Sequence, residues 1–416
     1  MHNLLKKLFF ISSIITISLY NFVYAYELEY EEDSVNINET IQETSTNPLA
    51  IPTISSKSAV VIDRNSNTVL YGKNENEVRK MASTTKIMTS LVVIENCNLE
   101  DTVIVSKKAA GTGGSRLGLN TNDKITVKNL LYGLMLCSGN DTAVALAEYV
   151  GGSIEGFADL MNKKASDLGL KNTHFVTPHG LDSDNHYTTA FELAYLTNYA
   201  LNNDIFAKIV NTKTITISIN NTSKSINNTN ELLGVLNGVY GVKTGFTNGA
   251  NRCLVTSCKR DNLDIICVVL GADTKKIRTQ DSIKLIEYAF SNYTTIDIHS
   301  LAYARFDNWI NNEFDFEVKK SSAKISSLKL NNFPYKKIAI PKDQINNINI
   351  FIETQSNIEA PIYSNTKIGY LDIIINENTL CRIDIVNEND IPKRSIIDYF
   401  SIFFKNYYSI ILRKYC

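Results

Sequence analysis

Three short polar motifs lie between residues 83 and 245, each at an edge or break of an element. A fold that joins them must bring a helix start, an interhelical break and a strand to one point. Ser83 and Lys86 stand in Met-Ala-Ser-Thr-Thr-Lys-Ile-Met-Thr (81–89), after which Leu91, Val92 and Ile94 prolong the helical spacing of Ile87 and Met88. That spacing places the hydroxyl and the amine on one face of the first turn. Ser is a favoured N-cap, but a capping box needs Glu or Gln three residues on, and Lys86 has three donors and no acceptor. Ser138-Gly139-Asn140 falls at a break between helical patterns, and Lys243-Thr244-Gly245 reads as strand before the turn Asn248-Gly249. Taken singly the first two are weak. Ser-x-x-Lys recurs at Ser321/Lys324 and Ser364/Lys367, and Ser-x-Asn at Ser34, Ser45, Ser218 and Ser225. Their order and setting, closed by a Lys-Thr-Gly found once, carry the signal.

The surrounding pattern alternates strand and helix. Residues 58–70 read as a strand pair around Asn65-Ser66-Asn67, 130–150 and 157–168 as helices, and 240–270 as strands joined at Asn248-Gly249 and Arg260-Asp261-Asn262. Ile283, Ile286 and Phe290 mark a closing helix. The expected fold over 51–295 is α/β, one antiparallel sheet packed by helices. From 300 to 390 the texture changes to alternating segments such as Phe314-Asp-Phe-Glu-Val, Ile348-Asn-Ile-Phe-Ile and Arg382-Ile-Asp-Ile, with Pro334, Pro341 and Pro361 between them. This predicts a small all-β domain, in which these two Ser-x-x-Lys pairs fall on strands or turns.

The ends have their own character. Lys6 and Lys7, an apolar run over 8–20 and Val23-Tyr24-Ala25 form a secretory signal peptide over 1–25. Residues 26–50 read as an acidic flexible spacer. Over 393–416, Ile396, Phe400, Phe403, Phe404, Tyr407 and Ile411 share one helical face, opposite Arg394, Asp398, Ser401, Lys405 and Ser409. That is an amphipathic helix suited to lie in a membrane interface, since Asp398 and Lys405 would be costly within hydrocarbon. The expected location is outside the cytoplasm, at the outer face of the cytoplasmic membrane and the cell wall space. A formal net charge of −1 over 416 residues gives no long-range attraction to nucleic acid. The seven cysteines, 97, 137, 253, 258, 267, 381 and 416, show no zinc-ribbon or Cys-x-x-Cys spacing, and most sit among apolar neighbours as small core residues.

The ordered trio is the pattern of class A β-lactamases and penicillin-binding proteins. With Leu-Cys-Ser-Gly-Asn-Asp-Thr-Ala (136–143), Phe-Ala-Asp-Leu-Met-Asn-Lys-Lys-Ala (157–165), Leu-Gly-Leu-Lys-Asn-Thr-His-Phe (168–175) and Pro-His-Gly-Leu-Asp (178–182), the chain resembles the low-molecular-mass penicillin-binding D-alanyl-D-alanine carboxypeptidases. The likeness is close over 51–295 and extends in layout to the β-domain and the tail. Thr177 departs from the Asn usual there. The resemblance implies a β-lactamase/transpeptidase-like sheet with helices on both faces and a serine acyl-enzyme mechanism. It implies peptidoglycan stem peptides as substrate, β-lactams as covalent inhibitors, and neither cofactor nor metal.

Within that frame each residue has a physical role. Ser83 is the nucleophile and Lys86 its proton acceptor, provided burial or a nearby cation brings the amine from about 10.4 to roughly 7 to 8. Lys243 can be that cation. Ser138 would carry the proton toward the leaving amine, Asn140 would hold Lys86 and the substrate backbone, and Lys243 and Thr244 would bind the terminal carboxylate. The oxyanion would meet the backbone N–H of Ser83 and, by the resemblance, that of Phe246. Four alternatives compete. A class A β-lactamase needs a deacylating Glu, and the candidates between Ser138 and Lys243 are Glu148, Glu155, Glu192 and Glu231, none of them in the 173–182 loop. A DD-endopeptidase would use the same residues. A zinc peptidase on His174, His179 and His186 with Asp182 and Asp184 lacks a helical His-x-x-x-His pair. A catalytically silent wall-binding protein would not need the intact trio.

Overall fold

The structure, a computed structural model, describes residues 37, 40, 50–314, 318–321, 325, 327–355 and 357–415. The signal peptide, nearly all of the spacer, Lys324 and Cys416 lie outside these. Two compact units divide between Tyr293 and Thr294.

The first unit is built on β1 (Ser58–Asp63), β2 (Val69–Lys73), β3 (Val239–Thr247), β4 (Asn251–Arg260) and β5 (Leu263–Ala272), in the order β2-β1-β5-β4-β3. All its pairings are antiparallel. Every residue of β1 is buried and nearly every one of β5, as expected of inner strands covered on both faces. β3 is an edge strand, so Lys243-Thr244-Gly245 lies where one side of the backbone has no strand partner in the sheet.

Helices supply the rest: α1 (Lys86–Asn96), α2 (Val127–Leu136), α3 (Asn140–Gly151), α4 (Ile154–Asp167), α5 (Ala190–Leu201) and α6 (Lys275–Asn292). Their starts are written locally. Thr126, Ser153, Thr189 and Thr274 each accept a backbone N–H at the N-cap of α2, α4, α5 and α6. The apolar core runs through Ile87, Leu91, Leu130, Leu134, Leu146 and Phe157 and meets the sheet at Val60, Ile62, Val255 and Val268. The break between α2 and α3 is sharp, because Ser138 takes a left-handed φ of +58° before Asn140 opens the next helix.

The second unit has its own core. A four-stranded antiparallel sheet, β6 (Leu328–Asn331), β7 (Ile348–Thr354), β8 (Lys367–Ile375) and β9 (Asn378–Asn387), runs in the order β6-β9-β8-β7. It is headed by α7 (Ile298–Asn312), so the expected β-domain is present and carries a helix in its core ahead of the strands. Ile298, Ala302, Phe306 and Trp309 are buried at helical spacing in one cluster with Leu371, Ile373, Ile383 and Ile385. The reading by alternation began only at Phe314 and missed that stripe. Of the look-alike pairs, Ser364 lies in a turn and Lys367 at the first position of β8.

α8 (Ile396–Tyr415) closes the chain and begins with a reciprocal cap. Ser395 Oγ accepts from the Asp398 N–H at 3.2 Å, while Asp398 Oδ2 accepts from the Ser395 N–H at 2.8 Å. Ile396, Phe400, Phe403, Phe404 and Tyr407 are all exposed, between 53% and 76%. Among the described residues no helix is long and apolar enough to cross a membrane. The six described cysteines are free thiols, with Cys253, Cys258, Cys267 and Cys381 buried in the cores.

Candidate active site

Ser83 sits in a single 3-10 turn, Ala82–Thr85, that leads into α1. Ala82 holds a left-handed φ of +49°, a conformation that costs a non-glycine residue about 1 to 2 kcal/mol and clusters at functional sites. The neighbouring hydroxyls brace the turn. Thr84 Oγ1 donates to Met81 O at 2.6 Å and Thr85 Oγ1 to Ala82 O at 2.8 Å. Ser83 is not the cap of this helix, and its Oγ instead accepts from Lys86 Nζ at 2.9 Å.

Lys86 is fully buried and its three donors meet three acceptors: Ser83 Oγ, Asn140 Oδ1 at 2.8 Å and His179 O at 2.8 Å. Burial, and next the charge of Lys243, push its amine well below the ordinary lysine range, with Asp141 opposing. Lys243, on β3, is equally buried and donates to Thr244 O at 2.9 Å. Burial and then the Arg278 guanidinium bring its pKa down to about 7. Arg278 is paired with Glu231; burial would raise that carboxyl, but the Arg278 charge and the Thr279 hydroxyl hold it below the usual range. Thr244 and Thr229 share a hydrogen bond between their hydroxyls at 2.8 Å.

Two glycines let the backbone close around Ser83. A Cβ on Gly245 would stand 3.1 Å from the Ser83 N, so the missing side chain allows β3 to lie against the turn and brings the Phe246 N–H one residue away. Gly180, at φ +85°, is more demanding: a Cβ there would lie 1.9 Å from Ala82 O. The 178–180 segment is further held by Thr89 Oγ1 donating to Pro178 O at 2.6 Å.

The second motif is fixed from both sides. Asn140 Nδ2 donates to Gly113 O at 2.8 Å while its oxygen serves Lys86. Asp141, fully buried, accepts from the backbone N–H groups of Leu117, Gly118 and Leu119 at 2.8 to 3.0 Å and clamps the loop beside the site. Ser138 is 6% exposed, and among the described residues no hydrogen bond joins it to Lys86 or Lys243. The site therefore unites Ser83, Lys86 and Asn140 directly, Lys243 through its charge, and Ser138 through its place in the α2–α3 break.

Several roles escaped the sequence reading: those of the His179 carbonyl, Asp141, the Glu231–Arg278 pair and Asp182, of which Glu231 and Asp182 enter it only for other chemistry. Asp141 and the His179–Gly180 segment lay inside quoted phrases, but nothing in the sequence points to a carbonyl as a partner. The histidines of the zinc alternative serve backbone. His186 Nδ1 accepts from the Val176 N–H at 3.0 Å, so Nε2 carries the proton toward Thr85 Oγ1 at 2.7 Å. His179 Nδ1 accepts from the Leu181 N–H at 3.2 Å, and His174 Nδ1 lies 2.6 Å from Asn185 O. Burial first, then nearby charge, lowers the His179 and His186 pKa values to about 3 and about 4, which keeps both rings neutral. The glutamates of the β-lactamase alternative are placed elsewhere. Glu148 accepts from Ser106, Glu192 from Thr173, and Glu231 from Arg278, while Glu155 is exposed at the head of α4.

Residues 42–274 match the D-alanyl-D-alanine carboxypeptidase family, and residues 318–393 match the C-terminal domain of penicillin-binding protein 5. The chain is 36% identical to the D-alanyl-D-alanine carboxypeptidase DacF of Bacillus subtilis over 82% of its own length and 87% of that protein. It is 33% identical to DacC of Escherichia coli, over 79% and 82% of the two chains. Among solved structures, penicillin-binding protein 5 of Haemophilus influenzae superposes with a TM-score of 0.69 at 29% identity, covering 83% of this chain and 99% of that one.

Proposed function

The chain belongs to the D-alanyl-D-alanine carboxypeptidase family of serine peptidases, and on that premise we propose how its residues remove the terminal D-alanine of peptidoglycan stem peptides. Ser83 Oγ attacks the carbonyl of the penultimate D-Ala while its proton passes to neutral Lys86. The single observation that carries this reading is Lys86 Nζ, fully buried, at 2.9 Å from Ser83 Oγ, a contact that in the neutral amine runs from the hydroxyl to the nitrogen lone pair. A buried amine that is largely neutral at working pH can accept that proton, whereas an exposed lysine near 10.4 cannot. The negative oxygen of the tetrahedral intermediate is met by the Ser83 and Phe246 N–H groups, each such donor being worth about 3 kcal/mol.

Lys243 and Thr244 receive the terminal carboxylate. A Lys243 poised at about 7 becomes fully charged once a carboxylate arrives, so substrate binding itself completes the cationic subsite. Ser138 passes the proton from Lys86 to the departing amine, and D-alanine leaves. Water then hydrolyses the Ser83 ester and restores both groups. A β-lactam enters the same path and stops at the ester. Intact-mass and peptide mass spectrometry after penicillin treatment test the assignment: the adduct belongs on the peptide carrying Ser83, and an adduct elsewhere overturns it.

The export and anchoring of this enzyme are part of the same reading. Its substrate lies outside the cytoplasmic membrane, residues 1–25 have the composition of a signal peptide, and α8 presents Ile396, Phe400, Phe403 and Phe404 to solvent beside Lys393 and Arg394. A helix of that kind lies in a membrane interface and holds the catalytic unit near its substrate. Retention on lipid vesicles by the mature chain, lost when residues 393–416 are removed, supports it; equal retention of both contradicts it.

A further inference from the structure

Asp182 takes no part in the chemistry above, yet both its carboxylate oxygens are engaged by the hairpin that follows Lys243-Thr244-Gly245. Oδ1 accepts from the Thr247 hydroxyl at 2.7 Å and Oδ2 from the Gly249 N–H at 2.9 Å. Thr247 Oγ1 in turn accepts from the Ala250 N–H at 3.0 Å, so one hydroxyl ties the hairpin to itself and to Asp182. The close fit is visible at Gly249, where a Cβ would stand 2.9 Å from the Asp182 carboxyl.

What Asp182 joins matters more than the bonds themselves. Three residues before it, His179 O receives Lys86 Nζ; two before it, Gly180 is pressed against Ala82 O. On the hairpin, two residues before Thr247, Gly245 is pressed against the Ser83 N. The loop that holds the base and the strand that brings the Phe246 N–H thus approach Ser83 separately, and the Asp182 carboxylate is a direct tie between them. Asp182 is exposed, and hydrogen bonds in water contribute little net stability, so folding alone does not account for a doubly engaged carboxylate here.

We propose that Asp182 is a positioning residue that sets the spacing between Lys86 and the Phe246 N–H, so that proton removal and oxyanion stabilisation act on the same geometry. This rests on the assignment of Ser83, Lys86 and Phe246 above. Displacement of a reacting group by a fraction of its hydrogen-bond length costs rate rather than ground-state binding, because the oxyanion exists only beyond the ground state.

The test uses the mature enzyme with Asp182→Ala, Asp182→Asn, Thr247→Val and the Asp182→Ala/Thr247→Val pair. The readouts are the rate of penicillin acylation, kcat and KM for D-alanine release, and the melting temperature. Asp182→Ala is expected to lower the acylation rate and kcat roughly 10-fold to 100-fold with KM nearly unchanged. Asp182→Asn, which keeps one acceptor, recovers part of the loss. The double variant loses less than the product of the two single losses, since both remove the Asp182–Thr247 tie and Thr247→Val adds only the loss of the Ala250 bond. An unchanged acylation rate in Asp182→Ala, losses that multiply in the double variant, or a loss that follows melting temperature with Asn no better than Ala overturns the proposal. If the wild-type adduct lies away from Ser83, the underlying assignment has failed instead, and the proposal goes with it.

Discussion

Asn140 stands between Lys86 and the loop beside the site: its oxygen accepts from Lys86 Nζ at 2.8 Å and its nitrogen donates to Gly113 O at 2.8 Å. A neutral amide in that place orients the lysine and stabilises its charge far less than a carboxylate would. Asn140→Asp would keep the shape and add a carboxylate, which favours the ammonium form and raises the Lys86 pKa. Since the proposed base acts when neutral, kcat/KM is expected to rise as pH climbs through that pKa, and the limb to move to higher pH by about a unit or more in the variant. A pH profile of D-alanine release checks it. A limb that stays in place removes Lys86 as the base.

Lys243 gives the opposite dependence. In the proposed mechanism its ammonium, not its amine, binds the substrate carboxylate, so KM is expected to rise as pH climbs past about 7, where the free enzyme loses that proton. Arg278 is the second cause of the lowered value, after burial. Arg278→Gln is therefore expected to shift the KM rise to higher pH, at some cost in stability because Glu231 loses its partner. KM measured between pH 6 and 9, as about the range in which lysines so shifted titrate, decides the point.

His186 ties the acid stability of the fold to the turn that carries Ser83. Its folded pKa of about 4 lies below the ordinary histidine value, so the unfolded chain takes up a proton that the native ring refuses. Its contribution is complete above about pH 6.5, falls as pH drops, and is gone by about pH 4, a change of up to about 3 kcal/mol. Urea unfolding at pH 7 and pH 4.5 is expected to show this loss, and His186→Gln to flatten it. An equal slope in the variant would assign the acid sensitivity to other groups, His179 first among them.

How much of this was legible depends on the kind of signal. Ser83 and Lys86 could be read as neighbours because helical spacing is local, and Lys243 as a strand residue because the Asn248-Gly249 turn follows it. Asn140 needed the ordered motifs, since its partner Lys86 is far away in sequence. The His179 carbonyl could not be read at all, because a backbone oxygen has no letter of its own. Glu231 and Arg278, or Asp182 and Thr247, are ordinary charged and polar residues until the sheet brings them together. In the second unit, α7 was missed for a different reason: its four buried residues span about three turns, while the alternation that marks the strands is plain within five residues.

The central claim is that Ser83, activated by Lys86, carries the acyl group. D-alanine release from a pentapeptide stem substrate tests it most directly, comparing wild type, Ser83→Ala and Lys86→Ala at equal folded concentration. The expected result is release by wild type, none above background by Ser83→Ala, and a loss for Lys86→Ala on the order of a thousand-fold or more. Continued D-alanine release by Ser83→Ala would contradict the account outright.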